Sequence, residues 1–441
     1  MRKLFLPIFL LIMSSLAGEE TVLSLRECIQ LGLEKNYALR IVRNQEEISK
    51  NNLTLGNAGF LPTLDLALDY SGSHLNTKSE MTDGSTSSNN NVNNSTIDAG
   101  LTFNWTVFDG LKMQASYAKL KELQQMGELQ TRLAVEKLVA EIVSEYNNHI
   151  YQLLRLKNLK ATVDLSEERV RIVEARYQIG TASLLDLNQA KVDLNTDISK
   201  LISQRETLLY STANMNKLLA NEEVYDDFML ADSVMHLEYL PYYDSLLMKT
   251  MRSNADILLA AKNARLSELD KKAIQSRNFP YLKFKAGYDD RLDRYGTGLT
   301  RQTQSYGLNY GVTLGMNLFD GLNTNREMKN IRMEMKNRKL EQEDIRLNLV
   351  TALSNLHTSH KNNGLLYELE QQNLIVAREY YEAAIDKYKL GTLSGIELRE
   401  AQQKLSDAEE RLLSSEYNIK LCEISLKQLS GDILDYLDFK E

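Results

Sequence analysis

Apolar and polar residues alternate one for one in four short stretches of this chain. Leu64, Leu66, Leu68 and Tyr70 interleave with Thr63, Asp65, Ala67 and Asp69, and Leu101, Phe103, Trp105 and Val107 with Thr102, Asn104 and Thr106. In the third stretch Leu282, Phe284, Ala286 and Tyr288 interleave with Lys283, Lys285, Gly287 and Asp289. The fourth sets Leu308, Tyr310, Val312, Leu314, Met316 and Leu318 against Asn309, Gly311, Thr313, Gly315 and Asn317. A period of two predicts strands with one apolar and one wet face. Two arrangements share this pattern: barrel strands with lipid outside and water inside, and an antiparallel sheet lying on a soluble core. Four strands cannot close a barrel, since the smallest barrels use about eight. On the barrel reading several copies must contribute, and three would bring twelve strands.

Elsewhere the period lengthens. Gly110 to Gly180 and Gly321 to Gly391 each run 70 residues without proline, predicting helices on the order of 105 Å long. Globular helices average about a dozen residues, so these belong to a coiled-coil class. After Gly391 the positions Leu398, Ala401, Leu405, Ala408, Leu412, Ser415, Ile419, Cys422, Leu426 and Leu429 step by threes and fours, a heptad seam. The same seam lies 211 residues earlier, from Leu187 to Leu218, weakened by Asp197 and Gln204. An opening helix starts at Ser24, where Glu27 completes a capping box, and is expected to continue to about Asn57. Its counterpart runs from near Pro241 to before Pro280. Together an opening and a returning helix match the length of one long helix.

The chain is written twice. Val107-Phe108-Asp109-Gly110 recurs as Leu318-Phe319-Asp320-Gly321, and Tyr177-Gln178-Ile179-Gly180-Thr181 as Tyr388-Lys389-Leu390-Gly391-Thr392, both 211 residues on. Phe60-Leu61-Pro62 and Asn278-Phe279-Pro280 are offset by 218. The expected organisation is a first repeat over 18–220, a linker over 221–240, a second repeat over 241–430 and a tail over 431–441. Strand hairpins occupy 63–107 and 281–318. Residues 71–95 are rich in Ser and Asn and read as a solvated loop. Residues 289–305 read as a shorter, charged one.

Arg2 and Lys3, the apolar run Leu4–Met13 and the small residues up to Ala17 predict an export signal over 1–17. Its apolar run is too short to span a bilayer. The net charge of −8 argues against a nucleic-acid partner. Cys28 and Cys422 read as small buried apolar side chains, although an oxidising compartment would permit a disulfide. His149, His357 and His360 lack a carboxylate or thiol to complete a ligand set and read as solvated, so no metal is expected. No phosphate-cradling glycine loop, paired-cysteine or zinc-hydrolase motif is present, so neither an enzyme nor a cofactor is indicated.

The polar clusters after the two glycine breaks, Ser183 with Asp186 and Ser394 with Glu397, fit capping boxes. The ordered, duplicated set of elements (opening helix, F-x-P strand unit, F-D-G, Y-x-x-G-T and heptad helix) resembles the TolC-like outer-membrane efflux proteins over nearly the whole chain. The resemblance implies a mainly α protein with a small β part. It implies a homotrimer with a 12-stranded β-barrel in outer-membrane lipid, a 12-helix periplasmic tunnel and an equatorial region holding 221–240 and the tail. It implies a passive duct served by an inner-membrane pump through a periplasmic adaptor. Asp186, Glu397, Glu400 and Tyr388 match positions at the tunnel constriction, and Gly180, Thr181, Gly391 and Thr392 the adaptor-docking tips. Leu393 departs from the family, where an arginine bridges. The alternative from another class is a soluble periplasmic coiled-coil adaptor or scaffold.

Overall fold

The computed structural model describes residues 22–238 and 241–437, so the expected export signal lies outside the described residues. The first repeat contains β1 (Val22–Leu23), α1 (Leu25–Lys35), α2 (Tyr37–Asn52), β2 (Thr63–Glu80), β3 (Thr86–Phe108), α3 (Lys112–Gln178) and α4 (Leu184–Leu218). After β4 (Met229–Leu230) the second follows with α5 (Tyr243–Ser253), α6 (Ala255–Gln275), β5 (Tyr281–Arg294), β6 (Gln302–Gly315), α7 (Asn323–Lys389) and α8 (Gly395–Ser430). The fold is mainly helical with a small sheet, as the patterns predict. The chain divides into two compact units, each drawing on both repeats. One takes residues up to Ile41, Arg132–Asn254 and from Leu347 onward; the other takes Val42–Thr131 and Ala255–Arg346.

The second of these units holds the sheet, antiparallel in the order β2-β3-β5-β6. Its register sets the four apolar series on one face. Leu66 lies opposite Leu101, Leu101 opposite Tyr288, and Tyr288 opposite Leu308. Six rows on this face run from Leu282–Leu314 to Tyr70–Ile97–Leu292, about 33 Å along the strands, apolar except for Asp290 and Gln304 in the outer two. At the usual barrel tilt of about 40° that is a band of roughly 25 Å, the height of a lipid-facing belt. Nothing among the described residues covers it: Leu66, Leu68 and Tyr310 are 81%, 75% and 77% exposed. β2 and β6 each present an edge that no strand among the described residues pairs.

Three expectations fail in this sheet. Residues 71–95 are not a loop: β2 and β3 stay paired from Thr63–Asn104 to Glu80–Thr86, around a turn at Met81–Ser85. Asp83-Gly84 makes that turn, with Gly84 at φ 83° and the Asp83 carboxylate accepting from the Ser85 backbone and hydroxyl. Polar Ser, Thr and Asn still satisfy a ladder when both faces meet water, so low hydrophobicity did not exclude strand. The charged segment 289–305 is likewise mostly strand, leaving only 295–301 between β5 and β6. The fourth strand ends at Gly315, three residues short of the expected Leu318.

The duplicated Phe-Asp-Gly motif turns each sheet into a long helix. Gly110 and Gly321 take φ 72° and 70°, and the leucines after them are also left-handed. The Asp109 and Asp320 carboxylates accept from the Met113 and Thr324 amides at 3.1 and 2.7 Å, covering amide groups that a helix start leaves free. A Cβ on Gly110 would lie 2.3 Å from the Ser276 carbonyl oxygen, so only glycine fits.

In the other unit the opening helices are broken rather than continuous. Asn36 and Asn254, 218 residues apart, adopt extended backbone between α1 and α2 and between α5 and α6. The Asn36 side chain accepts from the Leu39 amide and donates to the Leu218 carbonyl at the end of α4. Asn254 donates to the Leu429 carbonyl of α8 in the same way. Each asparagine interrupts its helix to tie it to the returning helix of its own repeat.

The largest core of this unit gathers Cys28, Ile29, Leu39, Val139, Ile142, Tyr146, Met215, Ile424 and Ile433. Cys28 and Cys422 are buried free thiols, and burial pushes Cys28 up to about 12. His149 corrects the solvated reading. It is buried against Phe228, beside the Ser211 hydroxyl, and burial pushes its pKa down to about 4. The linker is pinned to α8: Lys420 donates to the His236 carbonyl at 2.7 Å, and the Glu238 amide donates to Glu423 at 2.9 Å. Glu423 is fully buried and paired with Lys420 at 3.1 Å. Burial raises its pKa despite that partner.

Candidate functional site

The ends of α3 and α7 and the starts of α4 and α8 lie in one unit and share a small core of Val173, Leu187, Ala190, Ala384, Tyr388, Leu398 and Ala401. Both breaks are built alike. Gly180 and Gly391 take φ 79° and 82°. Their amides bond the Tyr177 and Tyr388 carbonyls, while the Thr181 and Thr392 amides reach back to the Arg176 and Lys387 carbonyls. This is the Schellman arrangement, in which only glycine turns left-handed at no cost. The threonine hydroxyls donate to the same two carbonyls at 3.2 and 3.1 Å. All four of these glycines and threonines are exposed. So are two apolar pairs at equivalent positions, Ile179 with Leu390 and Leu185 with Ile396.

The acidic residues are held by their helix starts. Ser183 and Asp186, and Ser394 and Glu397, form complete reciprocal capping boxes. Each carboxylate accepts from its serine's backbone amide at 2.9 Å and hydroxyl at 2.7 Å. These bonds favour the charged form and hold both carboxyls below their usual range. Glu400 is exposed and pairs with Lys404 at 2.7 Å.

Tyr388 is 4% exposed, and its partner is one that the sequence reasoning missed. The Arg176 guanidinium lies 4.3 Å over the Tyr388 ring and donates to the Tyr388 and Lys389 carbonyls. This ties α3 of the first repeat to α7 of the second. A basic residue precedes the tyrosine in both copies, Arg176-Tyr177 and Lys387-Tyr388, and that was the available signal. Leu393, half-buried, packs on the apolar cluster instead. A cavity of about 320 Å³ is lined by Arg169, Arg176, Asp186, Asp193, Tyr388 and Gly391 among others. Glu397 and Glu400 are not among its lining residues.

Further along α4, Asp197 and Gln204 are not weak points of the seam. Asp197, 1% exposed, receives both Arg399 guanidinium nitrogens, at 2.6 and 2.9 Å, and the Ser166 hydroxyl at 2.6 Å. Gln402 donates to Ser166 at 2.7 Å. Gln204 bonds the backbone and side-chain oxygens of Gln152. Arg169 pairs with Asp193. These polar layers join α3, α4 and α8 and specify which helix positions meet. Among the described residues no three His, Cys, Asp or Glu side chains gather to hold a metal ion, and no helix is long and apolar enough to cross a membrane.

The family described as outer membrane efflux protein matches residues 28–221 and again 246–432, once for each repeat. The chain is 18% identical to the outer membrane protein TolC of Escherichia coli K12, covering 98% of this chain and 87% of TolC. Its fold is similar to that of the outer-membrane channel OprN, with a TM-score of 0.77 at 16% identity over 92% of this chain and 90% of OprN. The CmeC outer membrane channel of Campylobacter jejuni gives 0.76 at 17% identity, over 92% of this chain and 85% of CmeC.

Proposed function

The chain belongs to the outer membrane efflux protein family, and from that premise we propose that three copies close their sheets into one barrel and act as the exit duct of a pump assembly. As a member of the family it is an outer-membrane efflux duct reaching into the periplasm, and not an enzyme. The soluble adaptor or scaffold reading is not favoured. One observation carries the trimeric reading: a four-stranded sheet with an exposed apolar face and two unpaired edges. Unpaired edges in hydrocarbon cost several kcal/mol per group, so the edges of neighbouring copies must meet and lipid must cover the apolar rows. Both hairpin turns leave the sheet at one end and would face outside the cell. Cross-linking of the detergent-extracted protein is expected to stop at three chains. A stable monomer, or recovery in the soluble periplasmic fraction, would refute the assignment.

The periplasmic opening of the duct would be the cluster built on the two glycine breaks. Gly180, Thr181, Gly391 and Thr392 form rigid exposed corners flanked by Ile179 and Leu390, a surface fitted to an adaptor protein that links the duct to an inner-membrane pump. Asp186, Glu397 and Glu400 would ring the opening under three-fold symmetry, with Tyr388 holding the corner closed through Arg176. An acidic ring in a constriction concentrates cations and offers a hard site to multivalent ones. Glu397→Gln/Glu400→Gln is expected to lose much of the cation preference and the block by multivalent cations, read by planar-bilayer recording under a salt gradient. Glutamine preserves the capping box. An unchanged reversal potential and unchanged block would leave these residues as helix caps only.

A further inference from the structure

The wet face of the sheet is sorted by charge. Its rows alternate with the apolar ones and begin, at the end nearest α3 and α7, with Lys283 opposite Thr313 and Lys285 opposite Gly311 and Asn104. Both lysines are exposed, and the Lys283 ammonium rests 5.0 Å over the Tyr281 ring. The next row outward pairs Asp65 with Thr102, the Asn104 side chain donating to the Asp65 carboxylate from the row before, and every charged row beyond it is mainly acidic. Asp289 lies opposite Gly100 and Gly307, Asp69 opposite Asp98, and Asp98 opposite Arg291. Asp293 follows, accepting from Thr96 and from the Arg291 guanidinium. Five aspartates thus face one arginine toward the hairpin turns, and two lysines face no acid in their own rows. The wall is uneven: the Asp289 carboxylate lies over Gly100 and is bonded by Asn309, while Gly307 and Gly311 are open. A Cβ at Gly307 or Gly311 would meet nothing within 4 Å.

We propose that this face is a charge-zoned selectivity wall: Lys283 and Lys285 form a cationic collar, and Asp65, Asp69, Asp98, Asp289 and Asp293 an anionic vestibule outside it. The inference rests on the duct reading and adds specificity residues distinct from the helix-tip acids. Organic and inorganic cations accumulate in the vestibule, and the collar opposes their return; small anions are held at the collar. Opposite signs a few rows apart on a wall backed by low-dielectric lipid make the two zones electrically distinct rather than averaged.

The test places a thiol in each zone of the assembled, detergent-extracted protein, where the native cysteines are buried. Gly307→Cys sits in the Asp289 row and Gly311→Cys in the Lys285 row. Each is treated at low ionic strength, where screening is weak, with a cationic and an anionic methanethiosulfonate of similar size. The cationic-to-anionic rate ratio is expected to be about tenfold or more higher at 307 than at 311. Lys283→Gln/Lys285→Gln should raise the ratio at 311, and Asp69→Asn/Asp98→Asn should lower it at 307. Equal ratios at the two positions, unmoved by these variants, would overturn the zoning while leaving the duct intact. If neither thiol reacts with charged reagents and both react with a membrane-permeant one, the face is not a water-filled lumen, and the duct reading fails with it.

Discussion

Leu308→Arg is expected to abolish most of the assembled protein in the outer membrane, while Asn309→Arg, one residue on, leaves assembly near normal. Leu308 lies in a middle row of the apolar band, opposite Tyr288, and is 69% exposed in the single chain. An arginine at the midplane of a barrel's lipid face costs roughly 2–4 kcal/mol per chain, and every copy carries it. Asn309 points to the other face, beside Asp289, where a cation meets water and an acid. Heat-resistant oligomer in isolated outer membranes is the measurement. Equal losses from both substitutions would mean that the two faces are not lipid and water. Leu314 is a poorer probe, because the strand ends at Gly315 and Leu314 sits at the margin of the band.

Asp197→Ala is the second large effect. It strands the Arg399 guanidinium, 18% exposed, without its bidentate partner. Removing one member of a buried pair typically costs about 3–5 kcal/mol, whereas replacing both with apolar groups is close to neutral. Asp197→Ala should therefore lower amide protection in α4 near 190–201 and in α8 near 395–408, read by hydrogen exchange. Asp197→Ala/Arg399→Leu should recover most of it. If the double variant exchanges as fast as the single one, the pair acts through something other than mutual neutralisation. Acid gives a milder version of the same loosening. Burial pushes the Asp197 carboxyl up, but the bonds from Arg399 and Ser166 outweigh it and hold the carboxyl below its usual range. A lowered pKa stabilises the fold above the unfolded-state value. That stability is lost as the pH falls through the folded one.

What was legible in the sequence followed from strict periods and exact repetition. The alternating strands, the heptad returning helices, the repeated Phe-Asp-Gly motif and the glycine breaks all declare themselves through patterns that the duplication writes twice. What was hidden depended on partners far away in sequence. Asn36 looks like an ordinary helix residue until its side chain finds Leu218. Asp197 looks like a defect in a seam until Arg399 reaches it. Tyr388 could be matched to a family position, yet its partner Arg176 lies 212 residues before it. The hairpin over 71–95 was misread for a different reason: low hydrophobicity argues against burial and not against pairing, and the Asp83-Gly84 turn outweighed composition. At the helix tips the sequence located Asp186 and Glu397 within helix starts, where Ser183 and Ser394 hold them by local bonds.

The two open edges of the sheet also govern how the protein comes into being. A newly exported chain has two of them, and so does any linear string of chains, because each addition covers one edge and brings another. Only ring closure removes both. A linear pair of chains has made one joint and still exposes two edges, so the yield of finished channel should rise steeply with subunit supply. A chain waiting for its neighbours carries this uncovered apolar face through an aqueous compartment and is an aggregation hazard there. Its survival in transit calls for an escort that masks the face and releases it only at the membrane, which makes biogenesis, rather than the stability of the finished ring, the step most sensitive to changes there.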